Sequence, residues 1–154
     1  MNKAVKLVIW VLVLELLGSV SGLLTKTSVT SWYVTLSRSP LTPPNITFGI
    51  VWSVLYAMIA IVGWMIWENK VKQQSKVKFL FCIQLLLNFS WTPIFFYYHL
   101  TGLALIILGA LNIVVMLLIK ALFPHNKAVA LLCIPYSLWL LLAFYLNFYI
   151  WVNN

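Results

Sequence analysis

Any chemistry in this chain has to come from indoles and amides, because the usual reactive sets are missing. There are eight tryptophans but only two histidines, two cysteines and two acidic residues, Glu15 and Glu68. No Ser/His/Asp set, phosphate-binding glycine loop or metal-ligand spacing occurs in it. His99 and His125 fall at helix ends and read as solvated loop histidines rather than haem or metal ligands. Cys82 and Cys133 lie separately in apolar runs without a Cys-x-x-Cys spacing, so they read as small buried hydrophobes. An indole, by contrast, offers a large flat face for stacking and a polar N–H at its edge.

The elements that must position these indoles are membrane helices. The 154 residues are 64% hydrophobic and 8% charged, against about 25% charged in a soluble domain. The expectation is one all-α membrane domain over 1–154, a bundle of five transmembrane helices at about 4–24, 46–67, 79–98, 102–123 and 129–151. A cleaved signal peptide competes for the first run, since Ser19-Val20-Ser21 is an acceptable cleavage site. Glu15 in the middle of that run favours a retained helix. The short turn at His99-Leu100-Thr101 makes the third and fourth helices antiparallel neighbours. The net charge of +8 does not signal nucleic acid. The basic residues cluster between apolar segments, as topology signals do, and form no stripe on a soluble fold. Eight lysines fall on one side of the five-helix arrangement (3, 6, 70, 72, 76, 78, 120 and 127), and Lys26 and Arg38 on the other. The positive-inside rule therefore puts the N-terminus in the cytoplasm and the C-terminus outside; in a bacterial cell membrane, the expected setting, that is the extracellular or periplasmic face.

The first connection is unusual. Pro43-Pro44 forbids helix there, yet the stretch also carries Trp32, Tyr33 and Leu41, which suits a lid folded over something. At 1.5 Å per residue, Trp52 lies roughly 9 Å below the lid side, Trp91 roughly 10 Å, Asn88 roughly 15 Å and Trp139 roughly 18 Å. In the third helix Gln84, Asn88, Trp91 and Phe95 share a face, and in the fifth Tyr136, Trp139, Ala143, Leu146 and Ile150 do. Ala143, about one turn beyond Trp139, leaves space beside the indole. These residues form either a ligand pocket under the lid or plain helix packing. Trp10, Trp64, Trp67 and Trp151 fit interfacial belts. Glu15 and Asn112 fall near the midplane, where a glutamic acid without a basic partner is expected to be protonated.

Three blocks carry a resemblance. The first is Trp32-Tyr33-x2-Leu36-x3-Pro40-x-Thr42-Pro43-Pro44-x3-Phe48-Gly49-x2-Trp52-x2-Leu55-Tyr56. The second is Asn88-x2-Trp91-Thr92-Pro93-Ile94-Phe95-Phe96, and the third runs from Pro135-Tyr136-x2-Trp139-x3-Ala143 to Leu146-Asn147-x2-Ile150-Trp151-x-Asn153. Together they make the chain resemble the TspO/MBR family, the tryptophan-rich sensory proteins of bacteria and the mitochondrial translocator protein or peripheral benzodiazepine receptor. The resemblance implies a five-helix bundle, often a homodimer, with a pocket closed by the first loop. It implies binding of porphyrins such as protoporphyrin IX and haem, and of benzodiazepine-type drugs. Under it Trp52, Asn88, Trp91, Trp139 and Ala143 line the pocket, joined by Tyr136 and Leu146, with Trp32 and Tyr33 in the lid. No resident cofactor is called for; the porphyrin is a ligand. Some bacterial members degrade protoporphyrin in light, and in that case Trp52 and Trp139 are the catalytic candidates. A small transporter or a purely structural bundle are the other readings. Leu41 departs from the family's usual aromatic. No Lys or Arg follows Tyr145 or Tyr149, so the cholesterol-recognition pattern is missing.

Overall fold

In the computed structural model, which describes residues 2–68 and 74–154, five long apolar helices account for most of the chain. They are α1 (Lys3–Thr30), α2 (Asn45–Glu68), α3 (Gln74–Phe96), α4 (Thr101–Leu122) and α5 (Lys127–Asn153). A single 3-10 turn, Tyr33–Thr35, interrupts the first connection. All five are long and apolar enough to cross a membrane. Lys70 and Lys72, two of the eight lysines counted on one side, lie outside the described residues.

Helix ends differ from the expected ones for local reasons. α1 continues six residues beyond the apolar run, through a polar last stretch whose hydroxyls find acceptors on its own carbonyls. Thr25 Oγ1 donates to Gly22 O at 2.8 Å, and Thr30 Oγ1 donates to Lys26 O at 3.1 Å. α3 stops at Phe96, two residues short of the expected end. The Tyr97 and Tyr98 N–H groups both turn onto Pro93 O, and His99 then takes the left-handed conformation at φ 56°. That lets the Leu100 N–H reach Ile94 O at 3.0 Å and reverses the chain directly into α4. His is among the side chains that tolerate this conformation best.

The helices close into a ring in the order α1, α2, α5, α4, α3, with α3 returning to α1 and a thinner contact between α2 and α3 across it. α4 and α5 each bury a full stripe at helical spacing, such as Ala104, Leu108, Leu111, Val115, Leu118 and Leu122. α1 has a single fully buried residue, Leu14. It is therefore the least embedded wall of the bundle. Cys133 is buried as expected, whereas Cys82 is exposed, on a face of α3 turned out of the bundle. An exposed Cys82 costs little where the surroundings are lipid, since a thiol behaves as a small hydrophobe.

The two ends of the ring are different. At one, Lys6 Nζ meets Glu68 Oε1 at 2.7 Å, tying the start of α1 to the end of α2. Both groups are partly exposed, so this pair contributes at most about 1 kcal/mol. At the other end the connection between α1 and α2 is fastened across the bundle. The Ser37 N–H donates to Asn154 Oδ1 at 2.9 Å, and Ser39 Oγ pairs with Tyr145 OH at 3.1 Å. Ser28 Oγ donates to Phe96 O, joining the end of α1 to the end of α3. The lid is thus held by α5, and the end of α1 that leads into it by α3.

Candidate functional site

Beneath this lid lies a half-open cavity of about 510 Å³, walled by α1, α2, α3 and α5. Its origin is visible in two glycines of α1. A methyl group at Gly18 would sit 2.4 Å from the Tyr56 ring, so α1 and α2 touch closely there. One turn nearer the lid, a methyl at Gly22 would meet nothing within 4 Å, and the same holds for Gly49 on α2. The two helices part above the Gly18–Tyr56 contact, and the cavity occupies the gap.

The walls differ in chemistry. α2, α3 and the lid supply rings: Phe48, Trp52 and Tyr56, then Trp91, Phe95 and Phe96, then Tyr33. α5 supplies Ala143, Leu146, Asn147 and Ile150. α1 supplies Glu15, Gly18, Ser19, Gly22, Thr25, Lys26 and Val29. These α1 residues recur every third or fourth position and so form one small and polar stripe. The sequence reading took α1 as a plain span and missed this stripe; its spacing was the available signal.

Of the residues expected at the site, Tyr33, Trp52, Trp91, Ala143 and Leu146 line the cavity. Trp32, Asn88, Tyr136 and Trp139 do not, each for its own reason. Trp32 stacks on His99, with ring centroids 3.9 Å apart, and packs its edge on Phe95. It clamps the lid to the end of α3 and does not cover the cavity. His99 is accordingly more than a solvated loop residue. Trp139 stands behind the wall, its ring against Phe48 at 5.6 Å, and its buried Nε1 has no hydrogen-bond partner among the described residues.

Asn88 and Tyr136 are withdrawn into a buried relay. Tyr56 OH donates to Asn88 Oδ1 at 3.1 Å, Asn88 Nδ2 donates to Tyr136 OH at 2.7 Å, and Tyr136 OH donates to Gln84 Oε1 at 3.1 Å. Both tyrosine hydroxyls and the Asn88 amide find partners in this relay, which is what the burial of an amide in an apolar bundle demands. A second pairing fixes the upper wall. Trp91 Nε1 donates to Asn147 Oδ1 at 3.2 Å, and Asn147 Nδ2 donates to Thr101 O at 2.8 Å. Both networks spend their polar atoms on holding rings in place. Asn112, the other midplane amide, likewise accepts from Ser137 Oγ at 2.6 Å.

At the rim, Lys26 reaches the cavity, while Arg38 lies 5.3 Å over the Tyr33 ring. Burial pushes the Tyr33 hydroxyl above its ordinary pKa of 10.0, and the Arg38 charge pulls part of the way back. Among the described residues no cluster of His, Cys, Asp or Glu could hold a metal.

Comparison with known proteins agrees with the architecture. The profile of the TspO/MBR family matches residues 10–152. The tryptophan-rich protein TspO of Archaeoglobus fulgidus is 40% identical over 149 residues, 97% of each chain. The protein of the same name from Bacillus cereus is 33% identical, with 80% of this chain and 81% of its own covered. The translocator protein of Sus scrofa is 30% identical over 90% of this chain and 86% of its own. With five membrane-length helices, a tethered first loop and a match spanning nearly all of its length, the chain is a membrane protein belonging to the TspO/MBR family.

Proposed function

We propose that the protein is a membrane receptor or carrier for porphyrins, protoporphyrin IX or haem, and related flat aromatic molecules, held in the cavity under the lid. The observation that carries this reading is a cavity of about 510 Å³ with seven aromatic residues in its walls and Lys26 at its rim. That volume falls in the range of small-molecule sites, roughly 300–1,000 Å³. A macrocycle stacks on indole and phenyl faces, burial of its apolar surface supplies most of the affinity, and Lys26 meets a propionate by a charge-assisted hydrogen bond. In this reading the lid end faces outward and the lysine-rich end inward. The test is quenching of tryptophan fluorescence by protoporphyrin IX in the purified protein. Saturable quenching is expected, and quenching no greater than that of a non-porphyrin lipid would refute the proposal.

A second reading, light-dependent degradation of the bound porphyrin, draws on the position of Trp52. It lines the cavity and stacks on Tyr56 at 5.4 Å, which stacks in turn on Phe89 at 5.5 Å. An oxidisable indole at the ligand, continued inward by stacked rings, is the arrangement a photo-oxidation would use. Bleaching of porphyrin in light and oxygen, faster than for the free pigment, is its test.

A further inference from the structure

Glu15 is the one charged group in the cavity that the porphyrin reading leaves unused. It is the deepest cavity-lining residue on α1, near the middle of the helix. Among the described residues it has neither a hydrogen bond nor an ion pair, whereas the only other side-chain carboxylate, Glu68, is taken up by Lys6. The Tyr56 hydroxyl, on the facing helix, gives its proton to Asn88. Lys26 lies on the same face of α1, eleven residues on. That is three turns, or about 16 Å, too far for an ion pair. The cavity is therefore basic at its rim and acidic at its floor, with the stacked rings of Trp52 and Tyr56 beside the acid.

We propose that Glu15 is a specificity-determining residue that accepts a protonated amine at the inner end of the bound ligand. The proposal rests on the cavity being a ligand site, but not on the ligand being a porphyrin. A carboxylate alone at this depth is costly, and so is a lone ammonium; brought together with good geometry, each offsets the other. Aromatic faces add attraction for the cation. A flat molecule with an amine at one end and an anionic group at the other satisfies both ends of the cavity. An amine alone satisfies the floor.

The experiment uses the full chain in a neutral detergent with two fluorescent probes, 1-pyrenemethylamine and 1-methylpyrene, read by energy transfer from tryptophan. Wild type is expected to prefer the amine by about tenfold or more, the worth of one charge-assisted hydrogen bond. Glu15→Gln should abolish that preference, read as the ratio of the two probe affinities, and Glu15→Asp should keep part of it. A second readout needs no variant. With only two side-chain acids in the chain, the infrared band of a protonated carboxyl should fall when the amine is added to wild type, and not with 1-methylpyrene. An amine preference that persists in Glu15→Gln, or an infrared band that does not respond, would overturn the proposal. Failure of protoporphyrin IX to quench while the amine preference stands would sink the porphyrin reading and leave this one.

Discussion

Replacing Asn88 by Leu separates two roles that a pocket-facing amide and a buried relay would confuse. In the structure the side chain makes two hydrogen bonds, to Tyr56 OH and Tyr136 OH, and none of its surface lines the cavity. The substitution keeps the branched shape, with larger methyl groups in place of the amide, and removes both bonds. Tyr136 OH still has Gln84 to donate to, but Tyr56 OH, on a residue 6% exposed, loses its acceptor. In water-soluble proteins an orphaned buried hydroxyl costs about 1–3 kcal/mol. Inter-helix hydrogen bonds in bilayers average about 0.6 kcal/mol, with a maximum of about 1.7, because the separated helices find other partners. Two bonds therefore put the loss at about 1–3 kcal/mol, with the lower half favoured by the membrane setting. Unfolding followed by circular dichroism in detergent measures it, and a cycle with Tyr56→Phe isolates the coupling. Removing the orphaned hydroxyl should recover part of the loss, so the double variant should be more stable than the sum of the singles. Porphyrin affinity of Asn88→Leu should change less than threefold, the equivalent of about 0.6 kcal/mol. A variant of normal stability that has lost porphyrin would refute the reasoning and restore Asn88 to the cavity wall.

Ala143→Phe fills space in the cavity itself and should abolish porphyrin quenching at a stability cost below the roughly 1–3 kcal/mol of overpacking a filled core; normal binding would show that the ligand sits elsewhere. Tyr33→Ala should speed ligand release more than Trp32→Ala does in stopped-flow displacement, since Tyr33 lines the cavity and Trp32 only clamps the lid to His99. Tyr33 is held neutral by burial, so the folded lid retains its proton above pH 10.0; lid contacts should weaken as pH rises through that raised value and be indifferent below 10.0, as tyrosinate absorbance compared with Tyr33→Phe will report. If the protein bleaches porphyrin in light, Trp52→Phe should slow bleaching while keeping binding, and Trp139→Phe should leave both unchanged, because Trp139 packs on Phe48 and does not line the cavity.

The five spans were legible because a membrane helix needs about 20 apolar residues and little else, and each was written as an unbroken run. Their ends were less so, since α1 runs on to Thr30 through a polar stretch, Thr25 to Thr30, that hydropathy does not register as helix. In the site, depth and helical face grouped Trp52, Trp91, Ala143 and Leu146, which line one cavity in the structure. The same two coordinates admitted Asn88, Tyr136 and Trp139, because depth and face do not say whether a side chain stops at a neighbour or reaches open space. Tyr56 decides that for Asn88, and Phe48 stands between Trp139 and the cavity. The α1 stripe went unread for the opposite reason. Glycine, serine and threonine have weak hydropathy, and only the parting of α1 from α2 above Gly18 turns them into a wall.

This arrangement divides stability from selectivity between opposite sides of one cavity. On α3 and α5 the polar atoms of Asn88, Tyr136 and Asn147 are paired across the bundle, and the walls that α2, α3 and α5 give the cavity are mostly rings and alkyl groups. Those surfaces attract any flat apolar molecule and discriminate little, since stacking and burial are tolerant of detail. On α1 the polar groups Glu15 and Lys26 face the cavity without being needed by the fold, and α1 itself contributes a single fully buried residue. Substitutions on its inner face should therefore shift which ligands bind at small cost in stability, whereas substitutions in the relay should cost stability before they alter ligand choice. Gly18 is the exception on α1, because it alone is closed against Tyr56. Enlarging it strikes the ring wall and the relay behind it, and so joins the two halves of the design.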